Sequence, residues 1–135
     1  MPFALDASVA MAWCFEDEAS PLSERVLDLL IADRAVVPDL WTQEVANVLL
    51  VAERRGRLSE ADAARFAQLL VQLPIEVDSS PSHLATLLAL GREHRLSAYD
   101  ASYLSLAQRR GLALATLDAT LAAAARQSGV ALIAE

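Results

Sequence analysis

Lysine is absent from this 135-residue chain; all eleven basic side chains are arginine. That excludes phosphate binding by a P-loop lysine, Schiff-base chemistry and a lysine general base. It also excludes a phosphoacceptor receiver domain, which needs a lysine beside its aspartates. There is one cysteine, Cys14, so no internal disulfide can form. Its place in an apolar run predicts a buried structural thiol in a reducing compartment. Four glycines and five prolines leave little room for long loops, and a 5% aromatic content with many Ala and Leu predicts helix-rich packing. No charge-free apolar run reaches the roughly 18 residues of a membrane helix. The N-terminus has no basic region and Asp6 interrupts its apolar stretch, which argues against a signal peptide. Together these predict a cytoplasmic protein.

What is present is a hydrophobic fraction of 55%, too high for a disordered chain, in a length that predicts a single domain spanning 1–135. The net charge of −7 argues against broad nucleic-acid binding, which leaves a basic footprint.

Hydrophobic periodicity orders the chain as strands alternating with helices. Short apolar strands are predicted at Phe3–Leu5, Ala35–Val37, Ile75–Val77, Leu112–Thr116 and Val130–Ile133. Helices are predicted over Ser8–Phe15, from Ser20, after Asp39, after Ser59, over Ser82–Arg95, over Ser97–Arg110 and after Asp118. Asp39 reads as a helix cap, and Ser59 with Asp62 as a capping box. This alternation implies a central parallel sheet of about five short strands between helix layers, a three-layer α/β/α domain.

In that layout four acids reach one edge. Asp6 follows the first strand and Asp118 the fourth, Glu44 lies in the first turns of its helix, and Asp100 lies in the first turn of another. The carboxyl edge of a parallel sheet is where active sites form. Each acid alone could be a helix cap or a partner of the helix dipole. Four in one concave place repel each other and need a counter-charge. With no lysine and no Cys/His ligand set, the natural one is a hard divalent cation, Mg²⁺ or Mn²⁺. Such a cluster suits metal-assisted phosphodiester hydrolysis.

Four segments carry a resemblance: Leu5-Asp6-Ala7-Ser8-Val9-Ala10, Thr42-Gln43-Glu44-Val45-Ala46-Asn47-Val48-Leu49, Tyr99-Asp100-Ala101-Ser102-Tyr103-Leu104-Ser105-Leu106-Ala107 and Ala115-Thr116-Leu117-Asp118. In order and spacing they resemble the motifs of PIN-domain ribonucleases, above all the VapC-type toxins of bacterial toxin–antitoxin pairs. The resemblance implies Mg²⁺ or Mn²⁺ bound by Asp6, Glu44, Asp100 and Asp118, with Ser8, Thr116 and Asn47 as polar supports. It also implies RNA cleavage, a homodimer and a small antitoxin that occludes the acidic site. An antitoxin arginine would replace the metal, and Trp13, Phe15, Leu29, Leu30 and Trp41 would offer an apolar groove. Metal loading would weaken the objection raised by the net charge.

Two other readings stand beside it: a PIN nuclease of RNA processing, and a non-catalytic helix-rich interaction module whose acids are caps. The compact length favours the toxin. His83 and His94 are expected in solvent. Trp13, Trp41, Tyr99 and Tyr103 are expected in the core or an interface rather than stacked on bases.

Overall fold

A computed structural model describes residues 1–134. Four strands, β1 (Phe3–Leu5), β2 (Ala35–Pro38), β3 (Ile75–Asp78) and β4 (Ala113–Ala115), form one parallel sheet in the order β3-β2-β1-β4. The chain steps outward from β1 to β3 and then returns to lay β4 against the other side of β1. Seven α-helices connect and follow them: α1 (Ala7–Cys14), α2 (Pro21–Leu29), α3 (Leu40–Arg54), α4 (Glu60–Gln72), α5 (Leu84–His94), α6 (Ala98–Arg110) and α7 (Ala119–Gln127). Helices α1 to α4 pack among themselves, as do α5 to α7, and the right-handed rule for parallel crossovers, applied to the strand order, puts the two groups on opposite faces of the sheet. The acidic segment Glu16–Glu18 forms a 3₁₀ turn.

The expected fifth strand shrinks to a single bridge. Leu114 pairs with Leu132, through the Leu114 N–H on the Ala131 carbonyl at 2.8 Å and the Ile133 N–H on the Leu114 carbonyl at 2.9 Å. β4 is only three residues long, so little ladder is on offer to extend.

Strands β1 and β2 are buried along their whole length, which is why both read as unbroken apolar runs. Their side chains, with Leu104, Leu106, Leu114 and Leu121, make the centre of the core. The edge strand β3 is more open, and its Glu76 and Asp78 bind Arg110 at 2.7 and 3.1 Å. Burial opposes ionisation of Asp78, but the Ser80 N–H and then Arg110 and Arg109 outweigh it and hold the carboxyl below its ordinary value.

Serine caps start the helices where expected. Ser20 forms a full capping box with Ser23 over Pro21, and Ser59 and Ser97 accept from the backbone N–H groups of Asp62 and Asp100. The Ser59 box is one-sided, because the Asp62 carboxylate turns to Arg65 instead. Asp39 does not cap α3 with its side chain: its backbone is already helical (φ −51°, ψ −38°), not in the extended geometry that aims a carboxylate at the first N–H groups. The His94 side chain is only 4% exposed, against the expectation of solvent. It clips α5 to the end of α7, with Nδ1 3.2 Å from Gln127 Oε1 and Nε2 3.1 Å from Ser128 Oγ. Cys14 is partly buried, and burial raises its thiol above the ordinary value. No described helix is long and apolar enough to cross a membrane.

Gly111 closes α6 in the left-handed region at φ +64°, with the Leu112 N–H returning to the Ala107 carbonyl at 2.9 Å. A Cβ added there meets nothing within 4 Å, so only backbone conformation is at stake. Gly111→Ala is expected to lower stability by about 1–2 kcal/mol in a denaturant melt, with the far-ultraviolet circular dichroism of the folded protein unchanged.

Candidate active site

The return of the chain to β1 creates the crevice where the acids meet. Where strand order reverses, the loops leaving neighbouring strands part and open a cleft beyond their carboxyl ends. Here the strands are β1 and β4, and the loops begin with Asp6 and with Thr116–Asp118. The two loops are joined by backbone: the Asp6 N–H donates to the Ala115 carbonyl at 3.0 Å.

Asp6 occupies the N-cap position of α1 but does no capping. Its carboxylate, in a residue 5% exposed, accepts two hydroxyl bonds on Oδ2, from Ser8 Oγ at 2.6 Å and Thr116 Oγ1 at 2.8 Å. The two hydroxyls are themselves aimed by the backbone of the β4 loop. The Leu117 N–H donates to Ser8 Oγ and the Asp118 N–H to Thr116 Oγ1, both at 3.0 Å. One Asp, one Ser and one Thr thus lock the β1 and β4 loops into a single unit.

Three more carboxylates surround that unit. Asp100 stands in the first turn of α6, half-buried. Glu44, on the second turn of α3, is held by a hydrogen bond from the Tyr103 hydroxyl to its Oε1. Asp118 caps α7, with Oδ1 accepting from the Leu121 N–H at 2.9 Å. Burial pushes the Asp6 carboxyl above the ordinary carboxylate range, Ser8 and Thr116 pull it back in part, and the charge on Asp118 adds to the rise. Burial likewise raises Glu44, with Asp6 and Asp100 adding and the Tyr103 bond opposing. It raises Asp100 too, with Asp6 and Asp118 adding. The acids therefore share one electrostatic environment.

As they stand they do not form a ready-made chelate: among the described residues no three His, Cys, Asp or Glu side chains are arranged to hold a metal ion. Each of Asp6, Glu44 and Asp118 is turned toward a partner within the protein. Asn47 is exposed one turn beyond Glu44 on α3, and it lines a shallow hollow with Phe15, Val48, Val51, Arg55 and Arg57.

Sequence reasoning missed the part played by Tyr103, which was expected in the core or an interface. It is fully buried, yet its hydroxyl reaches Glu44 from the opposite helix layer. The signal was available: a tyrosine one turn after Asp100, on the same face of α6. Burial first, and then the bond to Glu44, push its phenol far above the ordinary value, so it remains a donor.

The family model described as PIN domain matches residues 3–127. The chain belongs to the PIN-domain family. Ribonuclease VapC3 of Pyrobaculum aerophilum is 35% identical over 124 residues, covering 90% of this chain and 93% of its own. Ribonuclease VapC9 of Mycobacterium tuberculosis is 32% identical over 117 residues, covering 87% and 86%. Among solved structures, a Pyrobaculum aerophilum protein superposes with a TM-score of 0.72 at 26% identity, covering 92% of this chain and 84% of that one. VapBC2 of Rickettsia felis, solved bound to a DNA fragment from its promoter, shares the fold with a TM-score of 0.68 at 12% identity and 98% coverage of both chains. The motif segments that resembled this family in sequence are thus the segments that converge at the β1–β4 crevice of this PIN domain.

The raised carboxyls of this PIN domain have a definite consequence for stability. A carboxyl whose folded value lies above its unfolded one binds more protons in the folded state, so stability falls as pH rises between the two. Asp6, Glu44 and Asp100 act in this direction. The metal-free protein is expected to melt at a higher temperature as pH is lowered from neutral toward the upper edge of the carboxylate range. Asp6→Asn should flatten that slope, which thermal melts in EDTA across the interval will read.

Proposed function

We propose that this chain is a divalent-metal-dependent endoribonuclease acting as the toxin of a VapBC-type pair. The observation that carries this reading is the buried Asp6, fixed by Ser8 and Thr116 at the strand-order reversal, with Glu44, Asp100 and Asp118 around it. The curated relatives named as VapC ribonucleases, more than 30% identical over most of both chains, support the activity.

The donor set fits a hard cation. It is all oxygen, it carries no histidine or cysteine, and among the described residues no arginine pairs with any of the four acids. Asp6, Glu44, Asp100 and Asp118 would hold Mg²⁺ or Mn²⁺ among them. When bound, such an ion polarises the scissile phosphate and activates a water for attack. The chain's own residues do the rest. Asp6 is held in one orientation by two hydroxyls, Thr116 links that orientation to the Asp118 backbone, and the four negative charges bar an RNA phosphate from the crevice until they are compensated. RNA therefore engages the loaded site and not the bare one.

The partner surface differs from the one the sequence suggested. Leu30 and Trp41 are buried in the core and Leu29 lies against it, while Phe15, also buried, borders the separate hollow beside Asn47. Trp13 is placed differently. With Leu27, Phe66, Leu69, Leu70 and Leu73 it lines an apolar hollow of about 420 Å³ where α1, α2 and α4 meet. An amphipathic antitoxin segment would seat there, with an arginine reaching the acids. Structural neighbours that include VapBC2 of Rickettsia felis and a toxin–antitoxin complex from Klebsiella pneumoniae support a partner of this kind. A homodimer remains part of the proposed assembly.

Asp100→Asn removes one site charge and almost no volume. It is expected to slow cleavage of total RNA in Mn²⁺ by at least about a hundredfold, corresponding to the several kcal/mol of metal-assisted charge stabilisation, while the melting curve stays cooperative. Undiminished cleavage by the purified variant would refute the assignment.

A further inference from the structure

We propose that Tyr103 is a positioning residue of the acidic site: its neutral hydroxyl pins Glu44 through Oε1 and leaves Oε2 free for the divalent cation. This rests on the reading that the four acids hold such a cation.

The ring of Tyr103 fills the core, and a phenylalanine would fill it as well. The hydroxyl is what needs explaining, because a buried phenol oxygen without a partner is costly. Its partner is Glu44, 59 positions away and in the other helix layer. Glu44 has no other side-chain hydrogen bond among the described residues, and its long side chain would otherwise sample many rotamers. The charges of Asp6 and Asp100 disfavour a third carboxylate beside them, so an untethered Glu44 would turn to solvent. The tether is of a kind suited to a cation site. An arginine in its place would neutralise the carboxylate and compete with the cation, whereas a phenol fixes the oxygen and leaves the charge in full. The placement also serves Asp100. It precedes Tyr103 by one turn of α6, so one rigid helix sets its own carboxylate and the tether on Glu44 in fixed relation.

The test uses the full chain and Mn²⁺ as the probe, with free Mn²⁺ counted by electron paramagnetic resonance so that no RNA or activity is involved. Tyr103→Phe is expected to raise the Mn²⁺ Kd by about ten- to a hundredfold, the usual effect of removing a partner of a metal ligand. Glu44→Gln should weaken binding comparably. Adding Tyr103→Phe to Glu44→Gln should change the Kd by less than about twofold, because the hydroxyl acts only through that carboxylate. Glu44→Asp keeps the charge but draws it back from the hydroxyl, and should lose affinity like Tyr103→Phe even if the latter proves poorly folded. Wild-type affinity in Tyr103→Phe or Glu44→Asp would overturn the proposal. So would an equal loss from Tyr103→Phe in both backgrounds, which would mark a merely structural role. Absence of Mn²⁺ binding by the wild-type chain would overturn the metal reading itself, and this inference with it.

Discussion

A carboxylate buried at the junction of two strands governs the rest of this molecule. Asp6 leaves β1 at the point where β4 arrives from the far side of the sheet, and two hydroxyls meet it there. Those bonds do not fully offset the loss of water, and its carboxyl is raised. A fold of this size tolerates such a group only if the surrounding backbone over-determines it. Here the backbone does so twice, through the Leu117 and Asp118 N–H groups that aim Ser8 and Thr116. The site is therefore built into the sheet and not laid on it.

Around that junction the two helix layers contribute asymmetrically. From one side α3 brings Glu44, and from the other α6 brings Asp100 and the Tyr103 hydroxyl. The strain is electrostatic: negative charge collects in a place that water does not fully solvate. This is the usual signature of a site built for a charged reactant and not for stability alone. The ion pairs of the described residues lie elsewhere, at the β3 edge, at Arg57 with Asp17 and Glu18, at Arg65 with Asp62, at His94 with Glu93 and at the N-terminus with Asp33, and none of them compensates the crevice.

Much of this could be read from the chain itself. The unbroken apolar triplets of β1 and β2, the serines at the helix starts and Gly111 at the end of α6 are local signals, and each fell where local physics puts it. The alternation of strand and helix brings Asp6, Glu44, Asp100 and Asp118 to one edge without knowledge of side-chain geometry. What could not be read depends on long-range packing. The burial of His94 depends on where α7 ends against α5, and the loss of Phe15, Leu30 and Trp41 to the core depends on how α1 to α3 nest. Likewise, the silence of Asp39 as a cap follows from its helical backbone, and Tyr103's bond to Glu44 spans the two layers. Val130–Ile133 looked like a strand because it is apolar, but the short β4 gives it one bridge only.

If the four carboxylates act as one site, as proposed, a divalent cation completes it. Calorimetric titration of the wild-type chain with Mn²⁺, repeated in buffers of different ionisation enthalpy, counts the protons released on binding. Saturable binding is expected, with net proton release that grows as pH falls toward the carboxylate range, because the raised carboxyls must ionise to bind. Saturable binding that persists unchanged when Asp6 is replaced by asparagine, or no binding at all, would contradict the proposal.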